Sequence, residues 1–440
     1  MKEMPIKAAR LRDAYGTILE SRWPRKRTID QSLLRYVEGI IKEVKSRGDS
    51  ALIELTAMFD GVKIDAKQIS VKREEIKEAY SMVGCEQISA IEAAKERVER
   101  VERAALSRVS FKYEDEDGVK VSREYRPIRS VGCYIPGGLA AYPSTVIMTV
   151  VPAKVAGVRR VVVCTPPRKD GRIHPLTLVA ADICGADEIY RVGGAQAIAA
   201  LAYGTETISP VEKIVGPGNR YVLAAKRIVS CDVPIDHPAG PSEIMILADD
   251  SANPRYVALD MVSQAEHGAD SLAALVTTSA DLAEEVANIL TRMVGDLSGR
   301  DVVKESLERN GLILVADDMD EAIDFVNEFA PEHLEIIARN ACEISRKIWS
   351  SGIVLIGHTT PVSLSDYCLG TNHVIPTGGY GLVYQPLSVL DFIRCLNIVE
   401  CSEEAMKKLS ASAIVLAECE GLPNHALALK ERLRDWVEKR

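Results

Sequence analysis

Apolar side chains at Leu33, Leu34, Val37, Ile40, Ile41 and Val44 fall on one face of a 3.6-residue period, and Arg47-Gly48 closes the run. The spacing predicts an amphipathic helix. A second long helix is expected over 85–106, then a strand over 121–126 entered through an acidic turn at 114–118. From 131 to 238 the rhythm changes to short β-rich runs, glycine-rich turns and helical runs in alternation. Strands are expected at 131–135, 160–164, 188–192 and 213–215, with helices at 143–156, 175–184, 195–203 and 219–229. A second block repeats the alternation, with strands at 243–248, 272–277, 311–316, 334–338 and 352–356 and helices at 254–267, 280–294, 318–329 and 340–349. Strands that alternate with helices pair in parallel, and the break between the blocks falls near Gly240-Pro241.

Residues 1–28 read as a small helical arm. After Gly357 a stretch rich in Gly, Pro and Thr precedes a return to helix over 387–440. The fold class is therefore α/β: two Rossmann-like domains, incomplete and built on open, mostly parallel sheets, with a helical N-terminal arm and a C-terminal helical tail. A length of 440 residues agrees, since one core rarely organises so much chain.

Charge and cysteine usage narrow the function. With 54 Lys+Arg against 63 Asp+Glu the net charge is −9, which argues against a nucleic-acid surface, and the basic run Arg22–Arg27 reads as solvated surface. The N-terminus has no secretory pattern and the longest apolar run, 146–151, is too short to cross a bilayer, so a cytoplasmic enzyme is expected, with no membrane partner. Ten cysteines are scattered with no C-x-x-C pair. That fits reduced thiols, and a bound metal would not be held by sulfur.

The glycine turns carry the first candidate site. Tyr134-Ile-Pro-Gly137, Val192-Gly-Gly-Ala-Gln196 and Val215-Gly-Pro-Gly-Asn219 each follow an expected strand, and the last two run into helix N-termini that attract phosphate. None is G-x-G-x-x-G, so a nucleotide site here would not be a standard dinucleotide fold. A second candidate lies at the end of the helix expected over 254–267, where Gln264 and His267 stand one turn apart and can face one ion, or equally form a surface pair. Glu332 and His333 sit side by side before a strand, a combination suited to proton transfer. Asp366 and His373 share the long loop, and Glu420 and His425 flank a Gly-Leu-Pro bend. His237 either lines a site or serves as a hinge residue.

Taken together, these segments resemble the histidinol dehydrogenase family. The resemblance rests on Gly137-Gly138 with Tyr142-Pro-Ser-Thr145, Val192-Gly-Gly-Ala-Gln-Ala-Ile198, Gly216-Pro-Gly-Asn219, Ala239-Gly-Pro-Ser-Glu243, Ser263-Gln-Ala-Glu-His-Gly268, Pro331-Glu-His-Leu-Glu335, Asp366-Tyr367, Gly370-Thr-Asn-His373, and Glu420-Gly-Leu422 with His425, all in the family's order. It implies zinc held by Gln264, His267, Asp366 and His425, NAD contacts at Tyr134, Gln196 and Asn219, and a pocket for L-histidinol lined by Ser242, His373 and Glu420. It further implies His333 as general base, Glu332 as the group that activates water, and oxidation through L-histidinaldehyde to L-histidine with two NAD reduced. By the same resemblance, residues 131–241 form an inserted NAD-binding domain within a discontinuous domain of 29–130 with 242–386 that carries zinc and catalytic residues. The tail 387–440 would then reach the partner subunit of a homodimer with shared active sites.

Ser365, Leu369, Gly379 and Gln385 depart from the family's usual pattern. They raise a rival in which another small polar alcohol is the substrate. A zinc hydrolase using Glu332, and a non-enzymatic nucleotide-binding module, are the readings from other classes; the first predicts no NAD binding and the second an inert His333.

Overall fold

The computed structural model describes residues 6, 8–22, 30–137, 141–238, 240–296 and 301–438. The basic run's residues 23–27, Gly138 and Ala239 lie outside them. Contact density divides the chain into one unit of Met1–Arg103 with Ile128–Phe392 and a second of Ala104–Pro127 with Ile393–Arg440.

Among the described residues the strands are, in chain order, β1 (Ala8–Arg10), β2 (Phe111–Glu114), β3 (Val119–Pro127), β4 (Ser130–Tyr134), β5 (Arg160–Cys164), β6 (Glu188–Tyr190), β7 (Ile214–Val215), β8 (Glu243–Ala248), β9 (Leu272–Thr277), β10 (Gly311–Val315), β11 (His333–Ile337), β12 (Ile353–Ile356) and β13 (Ile393–Cys401). The first unit holds two parallel sheets, a large one ordered β1-β10-β9-β8-β11-β12 and a small one ordered β6-β5-β4-β7.

The large sheet follows from its uninterrupted apolar strands. Every residue of β8 and β9 is buried, as a parallel sheet covered on both faces requires. Alternate side chains divide between two cores: Ile244, Ile246 and Leu275 pack under the helices Pro254–Ala265 and Ala280–Asp296, whereas Met245, Leu247 and Val276 pack with Phe325 and Phe329 of Met319–Phe329. Around the small sheet, Tyr134, Val162 and Tyr190 share a core with the helices Gly194–Tyr203 and Arg220–Val229. That core also takes in Val37, Ile40, Ile41 and Val44 of the helix Gln31–Arg47, a segment that the expected boundaries grouped with the large sheet.

The second unit departs from the expected helical tail. Residues 393–401 form β13, which pairs antiparallel with β3 along nine residues, from Ile393 opposite Pro127 to Cys401 opposite Val119. Two helices then follow, Glu403–Cys419 and Pro423–Glu438. At the other end of the chain, the short strand β1 precedes the arm's helix Leu11–Arg22 and joins the large sheet beside β10.

Candidate active site

The proton-transfer pair is set by a tight entry into β11. Ala330 ends the helix Met319–Phe329 in a left-handed conformation with φ 49, and Pro331 then turns the chain so that Glu332 and His333 arrive at the sheet's amino edge. Parallel sheets generally present ligands at their carboxyl edge, and this pair is on the opposite side. Gly352 makes the arrangement possible, because a Cβ there would stand 2.5 Å from the Glu332 carbonyl oxygen.

Both side chains are buried, Glu332 at 6% exposure and His333 at 4%. The Glu332 carboxylate accepts the Glu243 N–H at 2.6 Å, and its pKa is raised by burial. His333 Nδ1 donates to the Glu243 carbonyl at 3.0 Å, which leaves Nε2 as the nitrogen that faces Asp366. That Nε2 stands 3.4 Å from Asp366 Oδ1. Burial opposes a charge on His333, but the neighbouring Glu332 and Asp366 carboxylates outweigh it and carry the ring up to about 10.

Asp366 caps the short helix Val362–Ser365 and faces three imidazoles. Burial pushes its carboxyl up, yet His333, His373 and His267 together hold it below the usual range. His373 is tied to the same residue, its Nδ1 donating to the Asp366 carbonyl at 2.8 Å, and its Nε2 lies 3.4 Å from Thr145 Oγ1. Gln264 and His267 come from the last turn of Pro254–Ala265 and the residues just after it, with the His267 N–H bonded to the Gln264 carbonyl. Gln264 is 1% exposed and its Nε2 has no hydrogen-bond partner, nor does Asp366 Oδ1.

Among the described residues no three His, Cys, Asp or Glu side chains form a ready metal group. The expected zinc set nevertheless fits what is present. Gln264, His267 and Asp366 belong to one unit, and Gln264 holds a buried amide nitrogen without a partner, a state that costs about 1–3 kcal/mol unless something is bound. Glu420, which caps the helix Glu403–Cys419, and His425 belong to the second unit. Ser242, at the entry to β8, accepts the Leu272 N–H on its carbonyl and so sits at the same sheet edge as His333.

The glycine turns converge at the carboxyl edge of the small sheet. The Tyr134 hydroxyl accepts the Gly194 N–H at 3.1 Å, tying the first turn to the second, and burial pushes its pKa up to about 12. Gln196 is buried with an unpartnered Oε1, an opening for a ligand donor. Asn219 caps Arg220–Val229, its Oδ1 accepting the N–H groups of Tyr221 and Val222, so its amide nitrogen is the group left to offer.

Sequence reasoning passed over a buried ion pair behind the third turn, Lys226 with Asp236. Its signal was a lysine inside the apolar stripe of Val222, Ala225 and Val229. His237 is buried, with Nε2 donating to the Val374 carbonyl at 3.1 Å. Ser365 is also buried, 3.3 Å from the Thr371 hydroxyl, and serves the loop's own shape.

Two parallel α/β sheets, a buried acid–imidazole pair and glycine turns over a sheet edge are parts that an oxidoreductase can use. The family model for histidinol dehydrogenase matches residues 23–433. A histidinol dehydrogenase of Methanothermobacter thermautotrophicus is 47% identical over 403 residues, covering 92% of this chain and 94% of its own. One of Gluconobacter oxydans is 40% identical over 433 residues, covering 98% and 99%. The crystal structure of histidinol dehydrogenase from Elizabethkingia anophelis superposes with a TM-score of 0.92 at 35% identity, covering 99% of this chain and all of that one. The chain belongs to the histidinol dehydrogenase family.

Proposed function

We propose that the protein oxidises L-histidinol through L-histidinaldehyde to L-histidine, the closing reaction of histidine biosynthesis, with zinc and NAD as cofactors. The observation that carries this reading is the His333 geometry: one ring nitrogen fixed on a backbone carbonyl and the other facing Asp366. Gln264, His267, Asp366 and His425 would hold zinc, which supplies a Lewis acid able to grip a neutral nitrogen of the substrate because three of the four ligands are uncharged. Tyr134, Gln196 and Asn219 in the inserted region 131–241 would cradle NAD, which would supply a hydride acceptor for both oxidations.

The chain's own groups move the protons. With zinc neutralising the Asp366 carboxylate that favours the protonated ring, His333 Nε2 would be free to take the alcohol proton, its Nδ1–H held by the Glu243 carbonyl so that the ring cannot turn away. Glu332, its carboxyl raised by burial, would take a proton from water as the aldehyde is hydrated. Ser242, His373 and Glu420 orient the substrate, and water exclusion around the buried pair protects the aldehyde.

A homodimer in which the tail 387–440 completes the partner's site is part of the reading. It is supported by apolar side chains left exposed in the second unit, Val399 at 61%, Leu416 at 62% and Leu427 at 51% among them, more than a solvated face uses. No helix among the described residues is long and apolar enough to cross a membrane, and every cysteine is free, as a cytoplasmic enzyme's would be. The test is the yield of NADH per L-histidinol consumed, with and without a chelator. Two per substrate, lost on chelation, is expected; no histidinol-dependent NADH sinks the reading.

A further inference from the structure

Asp236 and His237 are adjacent in sequence, and each holds a different loop. On one side the Asp236 carboxylate accepts the Gly216 N–H at 2.8 Å and pairs with the Lys226 ammonium, which in turn donates to the Gly216 carbonyl at 2.9 Å. Both polar groups of one residue are thus gripped by an ion pair whose side chains are 2% and 1% exposed. Gly216 has φ 114, and a Cβ there would stand 2.1 Å from the Tyr134 carbonyl oxygen, so the turn is pressed directly onto the end of β4. On the other side His237 holds the carbonyl of Val374, the residue after His373, and the Gly240 N–H donates to the Thr377 hydroxyl of the same loop.

A buried ion pair seldom adds stability over an apolar pair of equal size. Holding the fold together is therefore a poor reason for this one, whereas fixing a strained turn in a single geometry is a good one. We propose that Lys226, Asp236 and His237 are positioning residues that fix the Gly216–Asn219 turn and the Asn372–Thr377 loop relative to each other, so that a cofactor on the first meets an alcohol on the second at hydride-transfer distance. The inference rests on the NAD reading above. Displacement of about 1 Å between reacting groups is enough to cost on the order of a hundredfold in rate.

The test uses the full-length, zinc-loaded protein and follows NADH binding by its fluorescence without alcohol, beside steady-state kinetics and thermal melting. The double variant Lys226→Met with Asp236→Leu removes both charges together; it is expected to stay folded, melting below the parent because Gly216 loses both its partners, and to bind NADH about tenfold more weakly. If that variant does not fold, Asp236→Asn keeps an acceptor for the Gly216 N–H and breaks the ion pair, and a weakening of about threefold or more is expected. His237→Leu should leave NADH affinity within about twofold of the parent while lowering kcat about tenfold, and His237→Gln, which keeps a donor for the Val374 carbonyl, should restore most of it. NADH affinity unchanged in the charge-removed variants, or kcat unchanged in His237→Leu, overturns the inference alone. A parent protein that binds no NADH overturns it together with the cofactor reading.

Discussion

His333 is held at one nitrogen and presented at the other, which makes its replacement informative. His333→Asn keeps a donor near the Glu243 carbonyl and loses the base, so turnover should fall by about 10²–10⁴ with NADH affinity unchanged, as fluorescence titration would show. A second residue-scale expectation concerns Glu335, two residues along β11. It is buried and accepts the Val362 N–H at 2.6 Å; burial, with the Asp260 carboxyl beside it, pushes its pKa up to about 8. A raised carboxyl means that the folded state keeps a proton the unfolded chain has released. The stability this gives is full below the ordinary carboxylate range and is lost as pH rises toward 8. Glu335→Gln mimics the protonated form, so melting curves should show it near the parent at pH 5 and more stable by on the order of 1–3 kcal/mol at pH 9. Parallel curves at both pH values would show that Glu335 does not titrate there.

At the scale of elements, the amino edge of the large sheet depends on β12 passing closely over the Glu332 carbonyl. Gly352→Ala places a methyl 2.5 Å from that oxygen, and the expected cost is about 1–3 kcal/mol in denaturant unfolding with loss of turnover from the displaced Glu332. Most of the elements were legible because β8, β9 and β11 are continuous apolar runs and the helices between them end in clear caps. β13 was not. Its residues are mostly exposed and its partner β3 lies far away in sequence, so no buried alternation distinguished it from the helices that follow. Among the site residues, the Glu332–His333 pair could be read along the chain as a proton-transfer combination or as ordinary loop residues, and Gln264 with His267 as a pair able to face one ion, but only the family resemblance made Gln264 a zinc ligand. Its unpartnered amide is a property of packing, invisible along the chain.

For the whole molecule, the proposal that subunits share their sites makes a sharp prediction. In a mixed dimer of a His333→Ala chain with a His425→Ala chain, one site carries both defects and the other neither. Co-refolding the two inactive variants should therefore restore up to about a quarter of parental turnover by random pairing. Zero recovery, with a dimer confirmed by light scattering, would place His425 in its own chain's site or in none.

The pairing of β3 with β13 also bears on how the protein is made. Val119–Pro127 is synthesised long before Ile393–Cys401, and the antiparallel ladder joins them residue for residue. While the ribosome is still translating the segments between, the parallel sheets of the first unit can assemble, but β3 must wait with β2 as a lone hairpin, marginal in water. The second unit thus closes only once β13 has been made, and a chain released before Cys401 would expose an unpaired strand edge open to aggregation.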